Sequence, residues 1–401
     1  MTLTAGRITR DSSRDHDHPP MTTHPKLTAA ALLDRALALV PTLRERAAEA
    51  EALRQMPAET IAGLRASGLI RIGNPERYGG HGIDYDLMFE VAWELGRGCA
   101  STAWCYGVWT VHNWWVGHFP EQAQDEYFAA GPDVLASSAV AFSGTGQPAA
   151  GGYTVTGRWS FSSGCDAATW VFVGINTPDG PRWALLPRPG YQIVDTWHVT
   201  GMRGTGSKDI VAEGVFVPAH RTLNPAAAGD TDHTGWDLHH RPSYRAPMRA
   251  ITGFDLAAPV IGAAQGAVDA FAANLGARAA SGAPASAAAQ LRLAESAAEV
   301  DAARALHRSD IREILTRAEA GGGFTDLDRA RYTRDKAFIA TLCAQAATRL
   351  AEAGGARTIY TPNPIARFHQ DIQAALHHHT LSWDAAAEPY AQHAIDAARP
   401  S

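Results

Sequence analysis

The chain has 401 residues, of which 46% are hydrophobic and 19% charged, and its formal net charge is −6. A chain of this length can bury a substantial core, and a small, dispersed acidic excess excludes the basic surface that nucleic-acid binding needs. The 4 cysteines match no zinc-ligand spacing, so we expect reduced thiols and a cytoplasmic protein. No uninterrupted apolar run reaches membrane-spanning length, so no membrane partner is expected.

The beginning of the chain is polar and charged, without the apolar segment that a secretory signal contains. We expect residues 1–26 to be a disordered leader, with Met21 as an alternative start. After it, apolar residues recur at helical spacing, and residues 85–115 are so uniformly apolar that a long buried helix is expected. Residues 27–132 are therefore predicted to form a helical N-terminal domain.

The pattern changes twice more along the chain. Residues 133–223 carry short runs of β-branched and aromatic residues between turn residues, which predicts a small antiparallel barrel or sandwich. Residues 224–246 are polar and aperiodic, and we expect a linker. Residues 247–401 are rich in alanine and helical in pattern, which predicts a bundle. The expected helices of this bundle span 247–280, 285–320, 325–354 and 364–398.

Three short motifs resemble those of one family. They are Arg77-Tyr78-Gly79-Gly80-His81-Gly82, the segment from Trp197 to Ser207, and Ala353-Gly354-Gly355-Ala356. Together with the order of helices, strands and helices, they resemble the acyl-CoA dehydrogenase superfamily from about residue 27 to 395. The resemblance implies an α+β protein of the acyl-CoA dehydrogenase fold, with a helical N-terminal domain, a central β-barrel and a C-terminal four-helix bundle. It also implies that the bundles pack into a homotetramer.

Three further segments are similar to one subgroup, the two-component flavin-dependent monooxygenases that include 4-hydroxyphenylacetate hydroxylase. They are Ser101-Thr102-Ala103-Trp104 leading to His112, the stretch from Trp159 to Asp166, and the histidine-rich stretch from Asp371 to Asp384. That last stretch contains no glutamate of the kind an acyl-CoA dehydrogenase uses as its base. The resemblance implies a monooxygenase that hydroxylates a phenol or indole type of aromatic substrate through a flavin hydroperoxide.

The same resemblance implies the reactants. Reduced flavin, as FADH2 or FMNH2, and O2 are expected, and FAD and FMN are not distinguished. Because the chain carries no Rossmann-type nicotinamide fingerprint, the reduced flavin is expected from a separate NAD(P)H-flavin reductase. The alternatives are an acyl-CoA dehydrogenase or oxidase, and a non-catalytic protein of the same fold.

His378 is the expected catalytic base, because the family's active-site histidine stands seven residues beyond an aspartate that corresponds to Asp371. An imidazole can take a phenolic or indolic proton at neutral pH. On a helix, His377 and His379 would point to other faces, so the three histidines could not converge on one ion and no metal site is expected. Three solvated surface histidines are the alternative. Gln370 departs from the family, which has arginine there.

The other catalytic candidates are His112, Ser138 and Ser163. His112 is either a core histidine bonded to a backbone carbonyl or a contact to the substrate hydroxyl. The two serines match a pair in the hydroxylases, where a hydroxyl near flavin N5 can accept its N–H. Ser137 and Ser162 compete with them, because strand alternation would let one residue of each adjacent pair face the flavin.

The cofactor candidates lie in the strand region and the glycine motifs. Trp159 is expected either to pack against the isoalloxazine ring or to lie in the core. Glycines in the loop before a strand let backbone amides approach phosphate, and an arginine can bind phosphate oxygens. The full set of expected cofactor-binding residues is Trp159, Ser162, Ser163, Arg203, Thr205, Ser207, Gly354 and Gly355.

Overall fold

The computed structural model describes residues 25–361 and 363–399. Most of the expected leader, residues 1–24, lies outside the described residues. Helices come first along the chain, strands follow, and helices return, as the sequence predicts.

The first helical part is built around a helix that is buried along its whole length. The helices are α1 (Ala29–Leu53), α2 (Ala58–Ala66), α3 (Tyr85–Gly96), α4 (Ala100–Val116) and α5 (Glu121–Phe128). The long helix expected over residues 85–115 is two helices, since the chain turns at Gly98, where a Cβ would lie 2.7 Å from the Val40 carbonyl oxygen. Every residue of α4 is buried, and this helix contacts both the sheet and the C-terminal helices.

The strands form one open sheet of seven strands in the order β5-β6-β2-β1-β3-β4-β7. The strands are β1 (Ala136–Ala149), β2 (Gly152–Ser162), β3 (Trp170–Thr177), β4 (Gly180–Pro187), β5 (Gln192–Val194), β6 (Lys208–Pro218) and β7 (Thr222–Leu223). The expected antiparallel barrel is wrong, because β5 and β7 are the two edges of the described sheet and do not pair with each other, and because β1 pairs with β3 in parallel. β1 and β2 form a hairpin, so β2 occupies one side of β1. β3 pairs with the other side of β1 and runs parallel to it.

The C-terminal helices pack around α10, which contacts α8, α9, α11 and α12. The helices are α6 (Thr234–His239), α7 (Met248–Ile251), α8 (Phe254–Ala280), α9 (Ala287–Glu319), α10 (Asp326–Ala353), α11 (Pro364–Ala375) and α12 (Trp383–Ala397). The single helix expected over residues 364–398 is wrong. The chain leaves the helix at residues 376–382, where Leu381 becomes fully buried.

One segment, Met248–Ala280, is long and apolar enough to cross a membrane by length and composition. Most of its apolar window, 72%, is buried within the fold. It packs against helices on both sides of the molecule, including α3, α4 and α10, so it is the central core helix of this structure. All the cysteines lie in buried positions as free thiols.

Candidate active site

The loop of residues 197–207, which precedes β6, is fixed against α11 by a buried carboxylate. The backbone N–H of Met202 donates to Asp371 Oδ1 at 2.6 Å, and burial raises the pKa of this carboxyl to about 7. The contact is close, since a Cβ at Gly201 would lie 2.1 Å from the Gln370 carbonyl oxygen. Asp371 therefore positions the loop of residues 197–207 against α11.

A chain of side-chain hydroxyls connects this loop to the end of β2. Thr205 Oγ1 donates to the Met202 carbonyl at 2.8 Å and lies 2.7 Å from Ser207 Oγ. Ser207 Oγ lies 2.7 Å from Ser163 Oγ. At the far end, Trp104 Nε1 donates to Ser163 Oγ at 3.1 Å. The structure thus brings together three residues, Ser163, Thr205 and Ser207, that the sequence predicts from separate motifs.

The direction of this chain is determined by its two ends. The Met202 carbonyl can only accept and the Trp104 indole N–H can only donate, so each hydroxyl donates toward Met202. The proton of Ser163 is therefore engaged with Ser207, and its oxygen also accepts from the indole. One lone pair remains on Ser163 Oγ, so Ser163 can serve as a hydrogen-bond acceptor for a ligand.

His378 lies on the other side of the same tryptophan. Its half-buried ring packs edge-on against Trp104, with 5.9 Å between the ring centroids. Its Nδ1 lies 2.8 Å from the Thr380 hydroxyl and 3.3 Å from the Thr380 backbone N–H. Burial, with a smaller contribution from His379, lowers the pKa of His378 to about 3, so the ring is neutral. Trp104 therefore contacts both the predicted serine and the predicted histidine.

The three consecutive histidines are not on an α-helix, so the expectation that their side chains leave different helix faces is wrong. His378 has extended backbone angles and caps the short 3-10 turn His379–Leu381. The rings of His378 and His379 lie 4.6 Å apart, and both neighbours of His378 are exposed. Across residues 25–361 and 363–399, no group of three or more His, Cys, Asp and Glu side chains is arranged to hold a metal ion.

Strand alternation does not separate Ser162 from Ser163, contrary to expectation, because both are buried. Phe161, with a φ of 70°, interrupts the strand conformation just before Ser162, and Ser163 lies beyond the end of β2. Ser162 Oγ donates to the buried Ser137 Oγ at 3.0 Å, so these two hydroxyls satisfy each other. Ser138 is half-buried, and its hydroxyl makes no hydrogen bond with the described residues. The geometry therefore favours Ser138 and Ser163 over their neighbours as ligand contacts.

His112 shows the first of its two expected arrangements. The ring is buried against Trp115 and Phe172, and its Nδ1–H donates to the Ala136 carbonyl at 2.7 Å. Burial lowers the pKa of His112 to about 3. The neutral ring therefore carries its proton on Nδ1, and Nε2 has a free lone pair.

The Trp159 side chain is buried in the hydrophobic core formed by the strands. The expectation that it stacks on isoalloxazine is therefore wrong. Its indole is 1% exposed, and Nε1 donates to the Gly174 carbonyl at 2.7 Å. Gly144 and Gly157 pack against the ring so closely that a Cβ at either would lie within 3.0 Å of it. The residue two positions on, Phe161, is instead 70% exposed.

Phe161 forms an accessible aromatic surface with Trp197, the two rings being edge-on with centroids 6.2 Å apart. The sequence analysis did not identify either residue. Both are aromatic, Phe161 directly precedes Ser162, and Trp197 begins the motif from Trp197 to Ser207, so a signal was present. Arg203 is exposed on the same loop as Trp197, and its guanidinium makes no hydrogen bond or ion pair with the described residues. Gly354 and Gly355 lie at the surface where α10 ends, outside the hydroxyl chain.

Comparisons with known proteins agree over nearly the whole chain. Models of the acyl-CoA dehydrogenase N-terminal and C-terminal domains match residues 31–131 and 255–383. The flavin-dependent monooxygenase oxygenase subunit HsaA of Rhodococcus jostii (strain RHA1) is 35% identical over 356 residues, covering 86% of this chain and 93% of that protein.

Two further relatives concern the cofactor. The FADH(2)-dependent resorcinol hydroxylase oxygenase component of Rhizobium sp. (strain MTP-10005) is 33% identical, covering 92% of this chain and 95% of the relative. The solved structure of XiaF from Streptomyces sp. in complex with FADH2 and glycerol is 27% identical with a TM-score of 0.83, covering 93% of this chain and 97% of that one.

Proposed function

Because this chain belongs to the acyl-CoA dehydrogenase family, and within it to the two-component flavin-dependent aromatic monooxygenases, we propose that its substrate is a phenol. The resemblance inferred from the sequence motifs is thereby confirmed, and the chain is an oxygenase component that uses reduced flavin. The dehydrogenase and non-catalytic alternatives lack any feature in the described residues that favours them.

The described residues fit a reduced flavin. When bound, the flavin supplies the reducing power that activates O2. The lone pair left on Ser163 is suited to accept the N5–H of the reduced ring, and Phe161 with Trp197 offers an aromatic surface beside it. Arg203, exposed and without an ionic partner among the described residues, is proposed to bind a cofactor phosphate.

The proposed position of the substrate depends on one observation, the position of Trp104. Its N–H contacts the serine proposed for the flavin, while its ring contacts the histidine proposed for the substrate. An aromatic substrate at this junction would lie between the two. The unpartnered hydroxyl of Ser138 is proposed as a second polar contact to the substrate oxygen, and His112 as a third through its free Nε2.

The test is reconstitution. We expect the purified protein to be largely colourless, and to hydroxylate a phenol when NAD(P)H and a separate flavin reductase are supplied. With 18O2, the product should carry one labelled oxygen atom, measured by mass spectrometry over a panel of phenols, indoles and acyl-CoA thioesters. Oxidation of an acyl-CoA without oxygen incorporation, or turnover by the isolated chain with NADH alone, would contradict the proposal.

We also propose a homotetramer in the cytoplasm. Large apolar side chains are exposed on the C-terminal helices and the turns that join them, namely Phe338, Ile359, Tyr360, Trp383 and Ile395. Such clusters usually mark contacts with another chain. Light scattering coupled to gel filtration should give four times the chain mass of 42.7 kDa.

A further inference from the structure

The hydrogen bonds of His378 determine which ring nitrogen carries its proton. The backbone N–H of Thr380 points at Nδ1 from 3.3 Å, and a backbone N–H can only donate. Nδ1 therefore accepts and is unprotonated, and the Thr380 hydroxyl, at 2.8 Å, donates to the same atom, so the two donors share its one lone pair. Because the half-buried ring is neutral, its single proton is on Nε2.

Thr380 packs against the turn between α7 and α8. Gly253 has a φ of 102°, and a Cβ there would lie 3.4 Å from Thr380 Cβ and 3.1 Å from Lys336 Cδ. Lys336, on α10, donates to the Thr252 carbonyl at 2.8 Å and so fixes this turn.

The charged surroundings do not favour an imidazolium. On its own turn His378 has His379 beside it, which lowers its pKa further. Lys336 and Thr380 both lie near Gly253, and the Lys336 ammonium interacts with the carboxyl groups of Asp255, Asp310 and Asp335. No described carboxylate makes a hydrogen bond or ion pair with His378. The neutral ring with its proton on Nε2 is therefore the form that the substrate meets.

We propose that Thr380 is a positioning residue that keeps the proton of His378 on Nε2, so that His378 donates a hydrogen bond to the substrate oxygen and favours the phenolate form of the bound substrate. When the bound phenol ionises, its O–H bond breaks and the proton leaves to water, and no other bond is made or broken. The inference rests on the proposed function and replaces the base role that the sequence predicts, since a nitrogen that carries the proton cannot accept one. A phenolate already has the electron-rich ring carbon that hydroxylation needs.

The first test uses 4-nitrophenol, whose phenolate is coloured, bound to the full chain without flavin. We expect binding to the wild-type protein to lower the pKa of the phenol by about one to two units, because a hydrogen bond to a charged group is stronger than one to a neutral group. His378→Gln keeps an N–H at a similar reach and should retain most of this shift, whereas His378→Ala should lose it. An unshifted or raised pKa in the wild type, or a glutamine variant that behaves like alanine, would overturn the proposal.

The second test addresses Thr380. Thr380→Val removes the hydroxyl but not the backbone N–H, and it should reduce the nitrophenolate affinity and the hydroxylation rate by about fivefold, the value of one hydrogen bond. Thr380→Ser should restore both. Thr333→Val is the matched control, since that half-buried hydroxyl of α10 bonds only its own helix, at the Arg329 carbonyl. Equal losses at positions 333 and 380, or no recovery with serine, would refute the positioning role.

Turnover with reduced flavin separates this inference from the proposed function. We expect hydroxylation to fall about 10²–10³-fold in His378→Ala, as for loss of one charge-stabilising donor, and to fall far less in His378→Gln. If the wild type hydroxylates phenols but the two variants are equally inactive, the donor role is wrong and the function stands. If the wild type neither binds 4-nitrophenol nor hydroxylates any phenol, the proposed function itself fails.

Discussion

Replacing Ser163 with alanine would remove the last hydroxyl of the chain, the one that Trp104 contacts. Two hydrogen bonds are lost, the one from Trp104 at 3.1 Å and the one with Ser207 at 2.7 Å. Each hydrogen bond contributes about 0.5–1.5 kcal/mol net, and a buried donor left without a partner costs about 1–3 kcal/mol. Since the Trp104 N–H would have no acceptor, we expect the free energy of unfolding to fall by about 2–3 kcal/mol.

The functional loss should be larger than the loss of stability. Without the lone pair of Ser163, the N–H of the bound flavin has no acceptor at this position, so oxygen activation becomes uncoupled from hydroxylation. A positioned polar group of this kind is typically worth about 10²–10³ in rate. We expect at least tenfold more hydrogen peroxide per product, measured from oxygen consumption with and without catalase beside product quantified by chromatography.

Ser162→Ala is the matched control, because Ser162 is adjacent, buried and bonded to Ser137 at 3.0 Å, away from the chain. It should lower the free energy of unfolding by about 1 kcal/mol, one hydrogen bond, with peroxide release close to that of the wild type. Equal uncoupling in both variants, or uncoupling in Ser162→Ala alone, would show that the wrong serine has been assigned to the flavin.

Three other substitutions test the packing around the site. Trp159→Ala should lower the free energy of unfolding by about 3–5 kcal/mol, measured in urea, while flavin affinity of the folded fraction is unchanged. At the φ of 70°, Phe161→Gly should be about 1 kcal/mol more stable than Phe161→Ala, although both should bind reduced flavin more weakly. Burial raises the pKa of Asp371 to about 7, so the stability that its protonated form contributes is present below its usual pKa near 3.8 and is lost as pH rises toward 7. Asp371→Asn keeps an oxygen for the Met202 N–H, and its stability relative to the wild type should rise between those two pH values in urea titrations; a constant difference would contradict the raised pKa.

The sequence predicts the residues of the hydroxyl chain because each lies in a short, recognisable motif. It does not predict that Ser162 and Ser163 are both buried, because Ser162 ends β2 directly after the positive φ of Phe161 and Ser163 lies beyond the strand. A positive φ can be anticipated at glycine, where no Cβ opposes it, but not at a phenylalanine, where surrounding structure must impose it. The same backbone turn exposes Phe161 while Trp159 remains in the core, so strand alternation alone does not predict which of these two aromatic side chains a ligand can reach.

The histidine turn shows a similar limit. Residues 376–382 contain neither glycine nor proline, so no local signal ends the helix, and a continuous helix was expected. The interruption instead buries Leu381 and lets the His378 side chain accept the Thr380 N–H. The burial of Leu381 is a tertiary interaction and the hydrogen bond of His378 is a capping interaction, and neither can be predicted from helical periodicity. The position of His378 was predictable from its spacing to Asp371, but its protonated nitrogen was not.

Trp104 explains why motifs so far apart in the sequence serve one site. It lies on α4, a helix buried along its whole length between the sheet and the C-terminal helices, so its indole can reach both sides. Its N–H sets the direction of the hydroxyl chain at Ser163, and its ring packs on His378. The chain begins at the Met202 carbonyl, while the N–H of the same residue is held by Asp371, seven residues before His378. These contacts thus join the loop of residues 197–207, the end of β2 and the histidine turn. Each of the contacts involves a residue from one of the sequence motifs. A buried, directional connection of this kind leaves each ligand-facing group with one available role, acceptor at Ser163 and donor at His378.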